Sequence, residues 1–172
     1  MVARYLILAV FLLGALYYDA KSSRIPNNLN VAALIIGLLL NYILMGIPGL
    51  MFSLQGLGTG FALLMALYLL GGVGAGDVKL FSAIGALTGP WYTLTVAMYS
   101  LLAAALIGIV LMFYRGEFIK RIKRVWAWLV LFFTLGKIRI LAGIKEGDAF
   151  RFPFMYAVIP GAILAYIAPL VL

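Results

Sequence analysis

The 172-residue chain carries more apolar material than a soluble domain can bury. Hydrophobic residues make up 66% of it and charged residues 10%, against about 45–50% and 25% in ordinary soluble domains. The net charge of +8 is typical of a polytopic membrane protein, where basic residues report orientation, and does not require nucleic acid as a partner. Because Cys and His are both absent, we expect no disulfide, no metal, no cofactor and no Ser/His/Asp or Cys/His catalytic set. Any chemistry must therefore come mostly from the five carboxylates.

Apolar runs predict an all-α fold: one membrane-embedded domain over residues 1–172 with six transmembrane helices. The predicted spans are Val2–Tyr18, Leu29–Ile47, Leu54–Val73, Val78–Thr88, Trp91–Tyr114 and Phe152–Leu172. The fourth span, of about 11 residues, covers roughly 17 Å, which is too short for a hydrocarbon core of about 30 Å. We expect it to enter the membrane partway from a glycine-rich loop or to lie in a protein-lined recess.

A basic stretch separates the fifth and sixth spans. Residues 115–151 hold nine of the 13 basic residues and three of the five acids. Within it, residues 125–136 are apolar, short and rich in tryptophan, which predicts an interfacial helix on the membrane surface. A seventh crossing with Lys137 and Arg139 snorkelling to the surface is the alternative. Anionic lipid headgroups are sufficient partners for this charge.

The basic residues also predict orientation. If residues 19–28, 74–79 and 115–151 face the cytoplasm, 12 of the 13 basic residues lie there and Arg4 alone faces out. The positive-inside rule then places both termini outside a cytoplasmic membrane that the chain crosses several times. Asp19, after the first span, and Asp77, before the fourth, are expected at the same membrane face.

These two aspartates admit two interpretations. Taken singly, Asp77 is an N-cap of the fourth span, and Asp19 is a solvated loop residue paired with Lys21 or Arg24. Taken together, two carboxylates within a few ångströms share one proton near neutral pH, and so provide an acid and a base in one site. Lys21 and Lys79 would then lower the pKa of the pair, while burial at the membrane boundary would raise it.

Small and conformationally restricted residues surround both aspartates. Pro26 is expected to begin the second helix, where its missing N–H costs nothing, with Asn27 or Asn28 as a cap. The glycines before Asp77 allow positive φ and close approach of another backbone; they are Gly71, Gly72, Gly74 and Gly76. The pairs Gly56/Gly60 and Gly85/Gly89 predict ordinary helix packing.

The two aspartate segments resemble the catalytic motifs of the type IV prepilin peptidases. Gly74-Ala75-Gly76-Asp77, with Lys79 two residues on, resembles the family's GxGD motif. Asp19 followed by Ile25-Pro26-Asn27 resembles its other catalytic segment, and the two aspartates are in the family's order. Phe152-Pro153-Phe154 with Ala157 resembles, more loosely, the segment that opens the family's last helix.

The resemblance implies an intramembrane aspartic endopeptidase of the inner membrane with Asp19 and Asp77 as the catalytic pair. Such enzymes remove the short basic leader of type IV pilin-like or Flp-type prepilins at the cytoplasmic face. Larger members carry Cys-x-x-Cys zinc motifs and N-methylate the new amino terminus. Without cysteine, this chain is expected to cleave but not to methylate. A small proton-coupled transporter and a non-catalytic pilus assembly protein are the alternatives.

Overall fold

The computed structural model describes residues 2–22, 25–114 and 154–167, and all regular structure in them is helical. The helices are α1 (Val2–Ser22), α2 (Asn27–Met45), α3 (Ile47–Leu69), α4 (Ala75–Thr88), α5 (Pro90–Tyr114) and α6 (Met155–Ile167). The predicted all-α class is therefore confirmed over the described residues. The predicted interfacial helix at 125–136, and its alternative as a crossing, lie outside them.

Four of these helices are long and apolar enough to cross a membrane: α1 from Ala3, α2, α3 and α5. The remaining two are shorter, with 14 residues in α4 and 13 in α6. At 1.5 Å per residue, each of the two rises only about 20 Å. The described helices thus show a membrane protein, while the count of six crossings stays a prediction.

Two helix starts lie at least three residues earlier than hydropathy predicts. Helix α3 begins at Ile47, directly after Gly46, rather than at Leu54. Pro48 lies in its first turn, where a missing N–H is tolerated. The Gly and Pro residues of this segment favour a loop in the sequence, but the segment is helical. Helix α4 begins at Ala75 rather than Val78. An apolar run stops at a charged residue, but backbone hydrogen bonding continues through it.

Helix α4 lies at the centre of the packing and not on the lipid side. It contacts α3 most extensively, then α2, and also α1. All its residues from Val78 to Thr88 are buried except Lys79. Outward-facing apolar side chains are found instead on the longer helices, such as Ile43 at 77% exposure and Leu106 at 65%. Of the two expectations for the short fourth helix, the arrangement agrees with a protein-lined recess.

Glycines let α3 approach α4 closely. A Cβ on Gly56 would overlap the carbonyl oxygen of Gly85, and a Cβ on Gly85 would overlap that of Gly56. A Cβ on Gly60 would likewise overlap the carbonyl oxygen of Phe81. The predicted packing role is confirmed for these three glycines. Gly89 also packs against α3, since a Cβ there would overlap the Phe52 ring. It ends α4 with φ +82°, a conformation that glycine adopts at little cost.

A buried amide closes the Gly89 end of α4. Asn41 Nδ2 donates to the carbonyl oxygens of Ala86 at 3.1 Å and Leu87 at 3.2 Å, and also contacts Ser53 Oγ at 2.8 Å. Carbonyl groups in the last turn of a helix have no partner within it, and a membrane interior offers no water to replace one. Asn41 therefore satisfies the end of α4 from the side of α2.

The contacts divide the chain into two compact units, Met1–Ala104 with Pro153–Leu172, and Ala105–Phe152. The first contains α1 to α4, the first part of α5, and α6. Both aspartates of the candidate site belong to it. The expectation of a single domain over residues 1–172 stays a prediction.

Candidate active site

Asp77 lies in the first turn of α4, where a backbone amide donates a hydrogen bond to one of its carboxylate oxygens. The Gly74 N–H donates to Asp77 Oδ2 at 2.9 Å, and the Asp77 N–H donates back to the Gly74 carbonyl oxygen at 3.0 Å. Gly74 is the N-cap residue, and Asp77 is the third residue of the helix. The interpretation of Asp77 as the N-cap is therefore wrong, although its carboxylate does stabilise this helix end.

The electrostatic environment of Asp77 is shaped by burial and by the other aspartate. Burial raises the pKa of Asp77 to about 6, against an ordinary 3.8. The hydrogen bond from Gly74 opposes this rise, and the charge of Asp19 adds to it. The two carboxylates therefore lie near enough to interact, and Asp77 titrates in a range where both protonation states are accessible near neutral pH.

Asp19 lies inside the last turn of α1 and is only 7% exposed. Its Oδ2 accepts a hydrogen bond from the Met155 N–H of α6 at 3.1 Å. Lys21 points elsewhere, with Nζ 5.8 Å from the centroid of the Tyr17 ring. The interpretation of Asp19 as a solvated loop residue is wrong. Arg24, its other suggested partner, lies outside the described residues.

Lys79 and Asn27 join the two motifs directly. Lys79 Nζ donates to Asn27 Oδ1 at 2.9 Å and thereby ties the start of α2 to the first turns of α4. Pro26 is the N-cap of α2, and no side chain caps that helix, so the expected capping role of Asn27 is wrong. Among the described residues Lys79 forms no ion pair with either aspartate; an amide oxygen holds its ammonium instead.

The glycines before Asp77 differ in what they do. Gly71 has φ +77° and allows the chain to turn after α3. Gly74 has an extended backbone with φ −84°. A Cβ on Gly76 would meet nothing within 4 Å. The space beside Gly76 is open, and the close approach of another backbone there stays a prediction.

Each carboxylate thus has one oxygen fixed by a backbone amide. In the described part of the chain, no hydrogen bond engages Oδ1 of Asp19 or of Asp77. Two such carboxylates, brought together by packed helices, can hold a water molecule and exchange a proton with it. Within residues 2–22, 25–114 and 154–167, no three Asp, Glu, His or Cys side chains are grouped to bind a metal ion.

Two contributors to this region were missed by the sequence reasoning. The Met155 backbone N–H has no signature of its own, since every residue but proline carries one. Asn30, one turn after Asn27 on α2, is 3% exposed, and neither Nδ2 nor Oδ1 of its amide has a hydrogen-bond partner. Asn30 could have been found from the sequence, because it is a polar residue on the buried face of an apolar helix.

An apolar cleft of about 840 Å³ lies between α1 and α6. Tyr5, Tyr92 and Tyr166 lie along it, with ring centroids 5.3 Å apart for Tyr5 and Tyr92 and 5.1 Å apart for Tyr5 and Tyr166. Its lining on α1 runs from Tyr5 to Leu13, and Asp19 lies six residues, or roughly 9 Å, beyond Leu13 on that helix. Neither aspartate lines the cleft.

Comparison with known proteins agrees with the geometry. A family model described as the type IV leader peptidase family matches residues 6–113, a range that contains both aspartates. Neither the curated proteins nor the solved structures gave a significant match. The family match covers more than half of the 172 residues. The chain therefore belongs to the type IV leader peptidase family.

Proposed function

We propose that this protein is an intramembrane aspartic endopeptidase that removes the short leader of type IV pilin-like or Flp-type prepilins. The observation that carries the proposal is the coupling of the two carboxylates. Asp19 contributes to raising the pKa of Asp77 to about 6, and a backbone amide holds one oxygen of each. Family membership supplies the peptidase class, and the carboxylate pair supplies the aspartic chemistry.

In the proposed reaction, Asp19 and Asp77 hold one water molecule between their free oxygens. The ionised carboxylate takes a proton from the water as the oxygen attacks the scissile carbonyl carbon. The protonated carboxyl donates its proton to the departing amide nitrogen, and the C–N bond breaks. No covalent enzyme intermediate forms. After cleavage the pair still holds one proton, now on the other carboxyl, and its transfer between the two carboxyls restores the starting state.

The substrate must be locally extended at the cleavage point, because carbonyls within a helix are hydrogen-bonded and screened. The open space beside Gly76 lies one residue from Asp77 and offers room for such a strand. We place the apolar helix of the prepilin in the membrane beside α1 and α4, and its leader in the cytoplasm. The protein crosses the inner membrane of a prokaryote six times, with both termini outside.

The test is to co-express the protein with a tagged Flp-type prepilin and measure leader removal by the change in mass of the pilin. Asp19→Asn and Asp77→Asn should each lower cleavage by roughly 10²- to 10⁴-fold, the range for loss of a general acid or base. Glu117→Gln, a change of one carboxylate outside both motifs, is the matched control and should cleave as the wild type does.

Full cleavage by either aspartate variant would contradict the carboxylate pair. A wild-type protein that leaves every pilin-like substrate intact would instead favour an assembly or transport role. The same mass spectra test the second part of the proposal: the mature pilin should carry an unmethylated amino terminus. An added methyl group that depends on this protein would overturn the absence of methyltransferase activity.

A further inference from the structure

The start of α6 lies outside the family-matched residues 6–113 and nevertheless contacts the candidate site. The Met155 N–H, 136 residues from Asp19 in sequence, donates to Asp19 Oδ2 at 3.1 Å. The Met155 side chain is fully buried, so the backbone at this point is firmly packed. The last described helix is thus in direct contact with one of the two aspartates.

The helix geometry explains why this donor is free. The Phe154 carbonyl oxygen accepts the N–H groups of Ala157 and Val158 and so begins α6. Met155 is the first residue of the helix, where N–H groups have no acceptor within the helix and the dipole favours a negative charge. Asp19 supplies that negative charge from α1, in place of a capping side chain from the same segment.

Asp19 needs such a donor more than Asp77 does. It lies in the last turn of its own helix, where the dipole disfavours a carboxylate, whereas Asp77 lies in a first turn, where the dipole favours one. A carboxylate that is 7% exposed is also costly unless hydrogen-bonded. Among the described residues, the Met155 amide is the hydrogen-bond donor to it.

The same turn of α6 also contacts the helix that carries Asp77. The Phe154 ring packs against the Phe81 ring of α4, with centroids 6.3 Å apart. Phe81 lies one turn beyond Asp77 on that helix. Phe154, directly before α6, and Met155, its first residue, therefore contact the helices of both aspartates, one through an aromatic pair and one through a hydrogen bond.

We propose that the first turn of α6 is a positioning element of the peptidase, in which the Met155 backbone amide orients the Asp19 carboxylate toward Asp77. Met155 is a positioning residue and does not touch the substrate. This inference rests on the proposed function for its kinetic consequence, but the hydrogen bond itself can be measured without any substrate. It also gives a physical role to the segment that opens the last helix.

The test removes the Met155 N–H in two ways. Replacing Met155 by its α-hydroxy acid through nonsense suppression turns the amide into an ester with the same side chain. Met155→Pro removes the same donor at a helix position that accepts proline. The ester also weakens the Phe154 carbonyl oxygen as an acceptor, whereas a proline keeps an amide carbonyl there. Met155→Leu is the matched control, because it keeps the N–H and nearly the same volume.

We expect the ester variant to cleave prepilin with kcat lowered by roughly tenfold or more and KM little changed, as for loss of one charge-assisted hydrogen bond. The acid limb of its pH profile should move to higher pH, since the ionised form of the carboxylate loses a donor. Among the described charged groups, Asp77 of α4 interacts with Asp19, whereas Lys21 lies over the Tyr17 ring and Lys79 binds Asn27. All three are retained in these variants. Met155→Leu should behave as the wild type.

Ester and leucine variants with equal kcat and equal pH profiles, alongside an active wild type, would overturn the positioning role. A second readout separates this result from failure of the proposed function. In ¹⁵N-labelled protein, the Met155 amide proton should shift when Asp19→Asn is introduced, whether or not a pilin is cleaved. An unchanged Met155 amide would overturn the inference even in an active peptidase.

Discussion

The two ends of α4 use their polar groups in opposite ways. At the Gly89 end, the Asn41 amide donates to the carbonyls of Ala86 and Leu87 and contacts Ser53. At the Asp77 end, Asp19 and Asp77 each use one oxygen for a backbone amide, and the nearby Asn30 amide has no partner. At the Gly89 end, a side-chain amide satisfies backbone carbonyls. At the Asp77 end, the other carboxylate oxygens and the amide atoms have no hydrogen-bond partner in the described part of the chain.

This difference indicates which end of α4 contributes less to the stability of the fold. Buried polar groups that find partners stabilise a fold modestly, and those that do not are costly. Asn30 and Asn41 lie on the same buried face of α2. Asn41 has partners for Nδ2 but not for Oδ1, whereas Asn30 has partners for neither atom of its amide. The fold is therefore expected to depend on the Gly89 end and the reaction on the Asp77 end.

The largest expected effect of a substitution at the Gly89 end comes from the glycine contact between α3 and α4. In Gly56→Leu the new side chain overlaps the Gly85 backbone, which should cost more than about 3 kcal/mol and prevent isolation of folded protein. Gly58→Leu is the matched control two residues on, where a Cβ meets nothing within 4 Å. Size-exclusion chromatography in detergent measures both, and equal folding of the two variants would contradict the close packing.

A smaller effect separates the two asparagines. Asn41→Ala leaves carbonyls of Ala86 and Leu87 without a donor and should lower the free energy of unfolding by about 2–4 kcal/mol. Asn30→Ala removes an amide that has no partner and should change it by less than about 1 kcal/mol. Unfolding by denaturing detergent, followed by circular dichroism, compares them. Equal losses would show that the two ends of α4 do not differ in this way.

Sequence reasoning could predict the all-α class and the membrane character, because hydropathy carries that information directly. The catalytic pair Asp19 and Asp77 follows from the family resemblance and stays a prediction. It placed Asp19 in a loop, since an apolar run ends at a charge while the helix continues to Ser22. It could not predict the Met155 donor, which is a backbone group 136 residues away. Nor could it show that Lys79 binds Asn27, because Asp77, two residues before Lys79, offers an equally plausible partner in the sequence.

The coupling of the two carboxylates is the central claim, and a titration of Asp77 tests it most directly. The chain has three aspartates, Asp19, Asp77 and Asp148, so ¹³Cγ labelling of aspartate gives a simple NMR spectrum, and Asp77→Asn assigns its signal. We expect a pKa of Asp77 of about 6 in the wild type. We expect a lower pKa of Asp77 in Asp19→Asn, because the neighbouring negative charge that raises this pKa is removed. A pKa near the ordinary 3.8, unchanged by Asp19→Asn, would contradict the existence of a shared site.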